Sequence, residues 1–206
     1  MNTDYLKNVS RETIQDLKTF QQMVLEWNSK FNLISKSTET DIWKRHIEDS
    51  LQLDKFISEK DKTMYDFGTG AGFPGLVIAI FAKYTFPNLK ISLIESTTKK
   101  TIFLNEVKNK LNLDINIINE RIENLKLKKA DIISSRAMAS LEKLFEYAIN
   151  FTKENTKLLF LKGESWQKEI ETAQKNWIFS FESIPSITNE KGRVLQIQKL
   201  RRKIHG

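Results

Sequence analysis

Residues 63–75 read Thr-Met-Tyr-Asp-Phe-Gly-Thr-Gly-Ala-Gly-Phe-Pro-Gly. A short apolar run of Met64, Tyr65 and Phe67 enters a loop with glycines at 68, 70, 72 and 75, and an apolar stretch from Leu76 to Tyr84 follows. That order is strand, tight turn, helix. Without Cβ atoms, the turn lets a ligand lie directly against backbone N–H groups at a helix entrance. Gly70, Gly72 and Gly75 also satisfy the dinucleotide-binding pattern, with Glu95 about 20 residues on. Three features oppose that reading. The strand ends at Phe67, so the loop begins at Gly68. No tyrosine is followed four residues later by lysine, since Tyr147 meets Phe151 and Tyr84 meets Asn88. A chain of 206 residues leaves no room for a separate substrate domain.

Asp66, two residues ahead of the first glycine, suits a cofactor that carries positive charge beside a nucleoside. S-adenosyl-L-methionine, with an ammonium and a sulfonium, has that pairing. The stretch therefore reads as part of a methyltransferase.

The flanking sequence supports a layered α/β fold. Ahead of residue 63 the pattern is helical. Ser10 can cap a helix with Ile14, Leu17, Val24, Trp27 and Phe31 on one face, and a second helix is expected over about 39–56 through Ile42, Trp43, Ile47, Leu51 and Leu53. From 63 onward, strands are expected at 63–67, 90–95, 115–119, 131–134 and 157–162. Helices are expected at about 75–84, 98–111, 140–151 and 164–176. Such alternation implies a parallel sheet covered on both faces. Two final strands, about 177–184 and 193–200, are joined by the loop 185–192 alone, which makes them antiparallel. Seven strands with the last reversed is the class I methyltransferase sheet. The domain division expected is a helical extension over 1–60 and a cofactor-binding domain over 61–206.

Composition narrows the setting. The chain has no cysteine, no apolar signal segment among its first twenty residues and no membrane-length apolar run, which points to the cytoplasm. The net charge of +7 is unevenly spread. Residues 1–60 hold 9 basic and 10 acidic side chains, whereas residues 157–206 hold 10 and 5. Clustered cations are the footprint of phosphate contacts. Lys162, Arg193 and the terminal group Arg201, Arg202 and Lys203 are the candidates for holding RNA. No metal site and no second subunit are called for, so a metal-free monomer is expected.

In a doubly wound sheet ligands sit beyond the carboxyl ends of the strands. Gly68, Gly70 and Gly72 follow the first strand and would cradle the methionine part. Glu95 closes the second, placed to accept both ribose hydroxyls. Arg121, Ile122 and Glu123 follow the third, where an apolar side chain can pack on adenine and an acceptor can meet its amino group. Ser134, Ser135, Arg136 and Ala137 follow the fourth, putting Arg136 over the site to orient cofactor or target base. His46 and Asp49, three apart on a helix, read as a structural cap or salt bridge. Absences limit the chemistry. Attack through pyrimidine C5 needs a cysteine nucleophile. Exocyclic amine methylation uses an Asn/Asp-Pro-Pro-aromatic loop, and the prolines lie only at 74, 87 and 185. A ring nitrogen or an oxygen remains as acceptor. Guanine N7 has a lone pair and no proton to lose, so it needs only in-line placement.

Asp66 to Gly75 resembles the signature of the RsmG (GidB) family of bacterial small-subunit rRNA guanine-N7 methyltransferases. So do Trp27-Asn28, Asn32-Leu33, the block Arg45-His-Ile-Glu-Asp-Ser50, Ser135-Arg136-Ala137 and Leu161-Lys162-Gly163. The likeness runs from about Leu25 to Gln198. It implies transfer of a methyl group from S-adenosyl-L-methionine to guanine 527 in the 530 loop of 16S rRNA, on the small ribosomal subunit. It places cofactor contacts at Gly68, Phe73, Ile122, Glu123 and Arg136. Phe67 stands where such sequences often carry an aliphatic residue, a minor departure. A small-molecule methyltransferase and a ribosome-binding module without turnover are the alternative readings.

Overall fold

The computed structural model describes residues 9–204. Seven strands form one sheet in the order β3-β2-β1-β4-β5-β7-β6. They are β1 (Thr63–Phe67), β2 (Lys90–Ile94), β3 (Ile115–Ile118), β4 (Ile132–Arg136), β5 (Lys157–Lys162), β6 (Trp177–Pro185) and β7 (Arg193–Arg202). β1 to β5 are mutually parallel, with Thr63 opposite Lys90 and Met64 opposite Ile132. β7 lies between β5 and β6 and runs antiparallel to both. The strand order reverses between β1 and β4, so the connections leave a crevice at their carboxyl ends.

Burial matches the inner position of β7. Val194, Leu195 and Ile197 of β7 are fully buried, which requires cover on both faces, whereas most of β6 is exposed and suits an edge. Lys162 aligns with Arg193 and Leu158 with Ile197. The start of β7 therefore lies at the crevice end of the sheet and its finish at the opposite end.

Among the described residues, seven α-helices flank this frame: α1 (Arg11–Asn28), α2 (Lys36–Glu39), α3 (Asp49–Leu51), α4 (Gly75–Thr85), α5 (Thr98–Lys110), α6 (Leu141–Ala148) and α7 (Trp166–Asn176). α4 is apolar all round, with Leu76 through Ala82 buried. A helix of that kind needs cover on its outer side as well as from the sheet. The N-terminal segment supplies it, since Leu17, Phe20, Val24, Ile42, Ile47 and Leu51 share one core with Val77, Ile78 and Phe81. Each such side chain contributes about 1.5–3 kcal/mol when fully buried.

α1 begins where expected, with Ser10 Oγ accepting from Thr13 N at 3.1 Å. It ends at Asn28, and Phe31 lies beyond it, exposed. Asn28 closes the turn that follows. Its Oδ1 accepts from Leu33 N at 2.7 Å and Ile34 N at 2.9 Å, while its Nδ2 donates to Glu39 Oε1 at 2.6 Å. The continuous second helix expected over 39–56 is replaced by broken turns. These are α2, a π-helical stretch Trp43–Glu48, α3 and a 3₁₀ turn Asp54–Phe56. Periodicity could not distinguish these, because short turns of slightly different pitch keep the same residues facing inward.

Candidate active site

The glycine loop after β1 adopts backbone angles that side chains resist. Gly68 has φ +63, Gly70 φ +60 and Gly72 φ +97. Beneath the loop lies Asp66, wholly buried, and its position differs from the sequence expectation. It does not reach the crevice. Its Oδ2 accepts from Gly75 N at 2.9 Å and its Oδ1 from Ser134 Oγ at 2.6 Å, so it ties the loop and the start of α4 to β4. Burial pushes its carboxyl up to about 6, against the pull of these hydrogen bonds.

A cleft of about 560 Å³ opens above the carboxyl ends of β1, β2 and β4. Gly68, Gly70 and Phe73 line it from the loop, Glu95 from the end of β2, Ile122 and Glu123 from the turn after β3, and Arg136 from β4. These expected residues are brought together from four separate segments. Gly72 is not among them. A Cβ there would meet the Leu76 side chain at 2.4 Å, so Gly72 serves close packing against α4. Gly70 is the opposite case, since an added Cβ would meet nothing nearer than Gly68 O at 3.9 Å.

Glu95 is nearly buried and already oriented. Its Oε2 accepts from Gly70 N at 3.0 Å and its Oε1 from Thr97 N at 2.8 Å. An ionised carboxylate has about four acceptor sites, so two remain for a ligand. Ile122 is buried, and Glu123 is exposed and accepts from Tyr147 OH at 3.1 Å. Tyr147, Lys100, Leu33, Ile34 and Met138 also line the cleft and were not anticipated. Leu33 and Ile34 are there because Asn28 folds their turn inward. Tyr147 could have been suspected from its spacing on α6.

Arg136 is held from the N-terminal segment. Its Nε lies 3.3 Å from Asp49 Oδ2, its Nη2 donates to Arg45 O at 2.8 Å, and its Nη1 donates to His46 Nδ1 at 2.7 Å. A guanidinium only donates, so His46 must accept at Nδ1 and carry its proton on Nε2. Burial first, then the charges of Arg136 and Arg45, lower the imidazole to about 4. His46 is thus neutral near pH 7. Its ring stacks on Phe73 with centroids 4.9 Å apart. The salt bridge expected for this helical pair is the one from Asp49 to Arg136.

The expected RNA cations separate into different roles. Lys162 is not available to a phosphate. Its side chain is 6% exposed, 2.7 Å from Glu169 Oε2, and donates to Ala139 O at 2.7 Å. Because Glu169 Oε2 also accepts from Leu141 N at 2.7 Å, Lys162 braces the loop 137–140 beside the cleft. Arg193 is half-buried over the Trp166 ring at the crevice end of β7. Arg201 and Arg202 are not a tail but the last residues of β7, at the other end of the sheet. Arg202 lies over Trp177, and Lys203 Nζ donates to Gln174 O at 2.6 Å, capping α7.

A seven-stranded sheet with an inserted antiparallel strand, a glycine loop after the first strand and an acid closing the second define a class I methyltransferase fold. Solved structures agree in fold. A mitomycin 7-O-methyltransferase, MmcR, matches with a TM-score of 0.61 at 11% identity, covering 92% of this chain and 68% of that one. The M. jannaschii protein TYW2, solved in complex with AdoMet, matches with a TM-score of 0.57 at 16% identity, over 77% and 76% of the two chains. Sequence gives the family. The model for rRNA small subunit methyltransferase G matches residues 13–197. The proteins of that name from Rickettsia prowazekii and Ruegeria pomeroyi are 41% and 39% identical, covering 93% and 92% of this chain and 97% and 93% of theirs. The chain belongs to the family of ribosomal RNA small subunit methyltransferase G.

Proposed function

We propose that this protein transfers a methyl group from S-adenosyl-L-methionine to N7 of guanine 527 of 16S rRNA, in the cytoplasm. The observation that carries the reading is Glu95. It is a nearly buried carboxylate at the end of β2, fixed by two backbone N–H groups and still holding free acceptor sites where the glycine loop meets the cleft. A ribose diol needs that geometry. The open space at Gly70, where a Cβ would meet no close atom, suits an approaching ligand backbone-first.

Bound there, S-adenosyl-L-methionine would supply an electrophilic methyl group on a sulfonium. The chain's own residues do the rest by placement. Backbone at 68–71 would hold the methionine part and Glu95 the ribose. Ile122 would pack on adenine, with Glu123, held by Tyr147, meeting its amino group. Arg136, fixed through His46 and Asp49, would hold the cleft wall on the acceptor side. Guanine N7 has no proton to lose, so no general base is required, and a neutral His46 is compatible with that. The target base must leave its stack to reach the cleft. Arg193, at the crevice end of β7, would meet the adjoining backbone.

The test is incubation with labelled S-adenosyl-L-methionine and small-subunit particles lacking the modification. Label in 16S rRNA that is released by borohydride and aniline, which cleave at N7-methylguanine, is the expected result. Label on an exocyclic amine or a ribose oxygen would overturn the acceptor assignment. Label only in small molecules would overturn the RNA substrate.

A further inference from the structure

The end of the sheet remote from the cleft carries a second cavity, of about 490 Å³. It lies between the segment before β4, the turn after α6 and the end of β7. Lys129, Lys153, Lys199 and Arg201 line it, with Glu154 as its one acid and Ile149, Thr152 and Leu200 completing the wall. Lys153 is neutralised by Asp131. The side chains of Lys129, Lys199 and Arg201 are exposed and make no hydrogen bond or ion pair among the described residues. Three uncompensated cations around one concavity repel each other and gain from a polyanion.

Lys199 strengthens the case. Its φ of +55 puts a non-glycine residue in the left-handed region, where the β6–β7 register shifts. That conformation bulges the strand at the point where its charge joins the cavity. The lining contains no aromatic side chain on which a base could stack. Its chemistry therefore suits phosphates and carries no sequence preference.

We propose that this cavity is a second RNA-backbone contact, occupied by a part of the substrate far from the methylated base. The inference rests on the rRNA reading above and adds a size requirement to it. From Arg193 at the crevice end to Arg201 is eight residues of β7, or roughly 27 Å at about 3.4 Å per residue. A substrate engaging both ends must extend at least that far, as folded 16S rRNA does and a hairpin truncated to a few base pairs does not.

The test uses the full chain with Lys129, Lys199 and Arg201 all changed to Gln, compared with the unaltered protein. Filter binding of naked 16S rRNA across a salt series reads the contact without depending on turnover. Loss of three phosphate contacts should flatten the log–log salt slope by roughly 2–3 and weaken binding about tenfold or more. Methyl transfer to a short hairpin bearing the target guanine, and cofactor affinity, should not change. The single variant Lys129→Glu, at an exposed loop position, should show a smaller effect in the same direction. An unchanged salt slope for both variants would overturn the proposal while leaving the methyltransferase reading intact. A defect seen with assembled subunits but absent with naked 16S rRNA would also overturn it, assigning the cavity to an acidic protein partner. Failure of the unaltered protein to methylate 16S rRNA would instead strike the functional reading, and the binding series would still decide on the cavity.

Discussion

Arg136→Ala would cut the tie between the end of β4 and the N-terminal segment, and its cost can be worked from the contacts. The variant loses an ion pair at 3.3 Å whose partners are 20% and 14% exposed, and two hydrogen bonds at 2.7 and 2.8 Å. Removing one partner of a largely buried pair costs about 3–5 kcal/mol when the other is left stranded. Asp49 is not fully stranded. Its Oδ1 still accepts from Gln52 Nε2 at 2.9 Å, Thr188 Oγ1 at 2.7 Å and Ser186 Oγ at 3.2 Å. The expected destabilisation is therefore about 2–3 kcal/mol. Urea unfolding followed by tryptophan fluorescence would measure it, since Trp27 and Trp43 both sit in the N-terminal segment. A cycle with Asp49→Ala and the double variant isolates the pair, for which a coupling of about 1–2 kcal/mol is expected. Arg136→Lys should recover only part of the loss, because one ammonium cannot reach three acceptors in the planes a guanidinium fits. Single-variant effects that add to within about 0.3 kcal/mol would refute the clamp and return Arg136 to acting on the ligand alone.

Asp66 sets a pH dependence. Its carboxyl is raised to about 6, so the folded chain binds that proton more tightly than the unfolded chain, and the associated stability is full below about pH 4 and lost as pH rises through 6. Asp66→Asn, which can still bond Gly75 N and Ser134, should remove about 2–3 kcal/mol of that fall between pH 4 and 7, whereas parallel unfolding curves would refute it. His46 titrates in the opposite sense, its lowered pKa costing stability as pH falls from 6.5 through 4, but it is common to both proteins and cancels in the comparison. Gly75→Ala should destabilise by about 1–3 kcal/mol in thermal unfolding, because the new Cβ would lie 2.3 Å from Leu93 Cδ2 and 2.5 Å from Asp66 Oδ2. Glu95→Ala should weaken S-adenosyl-L-methionine binding by about 1–3 kcal/mol in calorimetry, and a variant with unaltered affinity would remove Glu95 from the ribose.

Local chemistry made much of this protein legible. The strand–glycine loop–helix at 63–85 follows from apolar patterning and from glycines at positions of positive φ, both of which depend only on neighbours in the chain. The number and direction of the strands follow from whether a helix intervenes between them, as the bare loop at 185–192 shows. Glu95, Ile122 and Arg136 could be placed in the cleft because any residue just past a parallel strand must come out at the same end of the sheet.

Tertiary structure alone decided what depends on packing between distant segments. It put β7 inside β6, so that the buried β7 lies mid-sheet and the largely exposed β6 takes the edge. It buried Asp66 under the loop instead of beside a ligand. It turned Lys162 from a phosphate contact into a brace for the loop 137–140, since Glu169 comes round on α7 to neutralise it. It brought Arg45, His46 and Asp49 onto Arg136 from about ninety residues away. The basic residues at the end of the chain read as a tail by composition. Antiparallel pairing carries them along β7 to the far end of the sheet, and no property of those residues by themselves encodes that register.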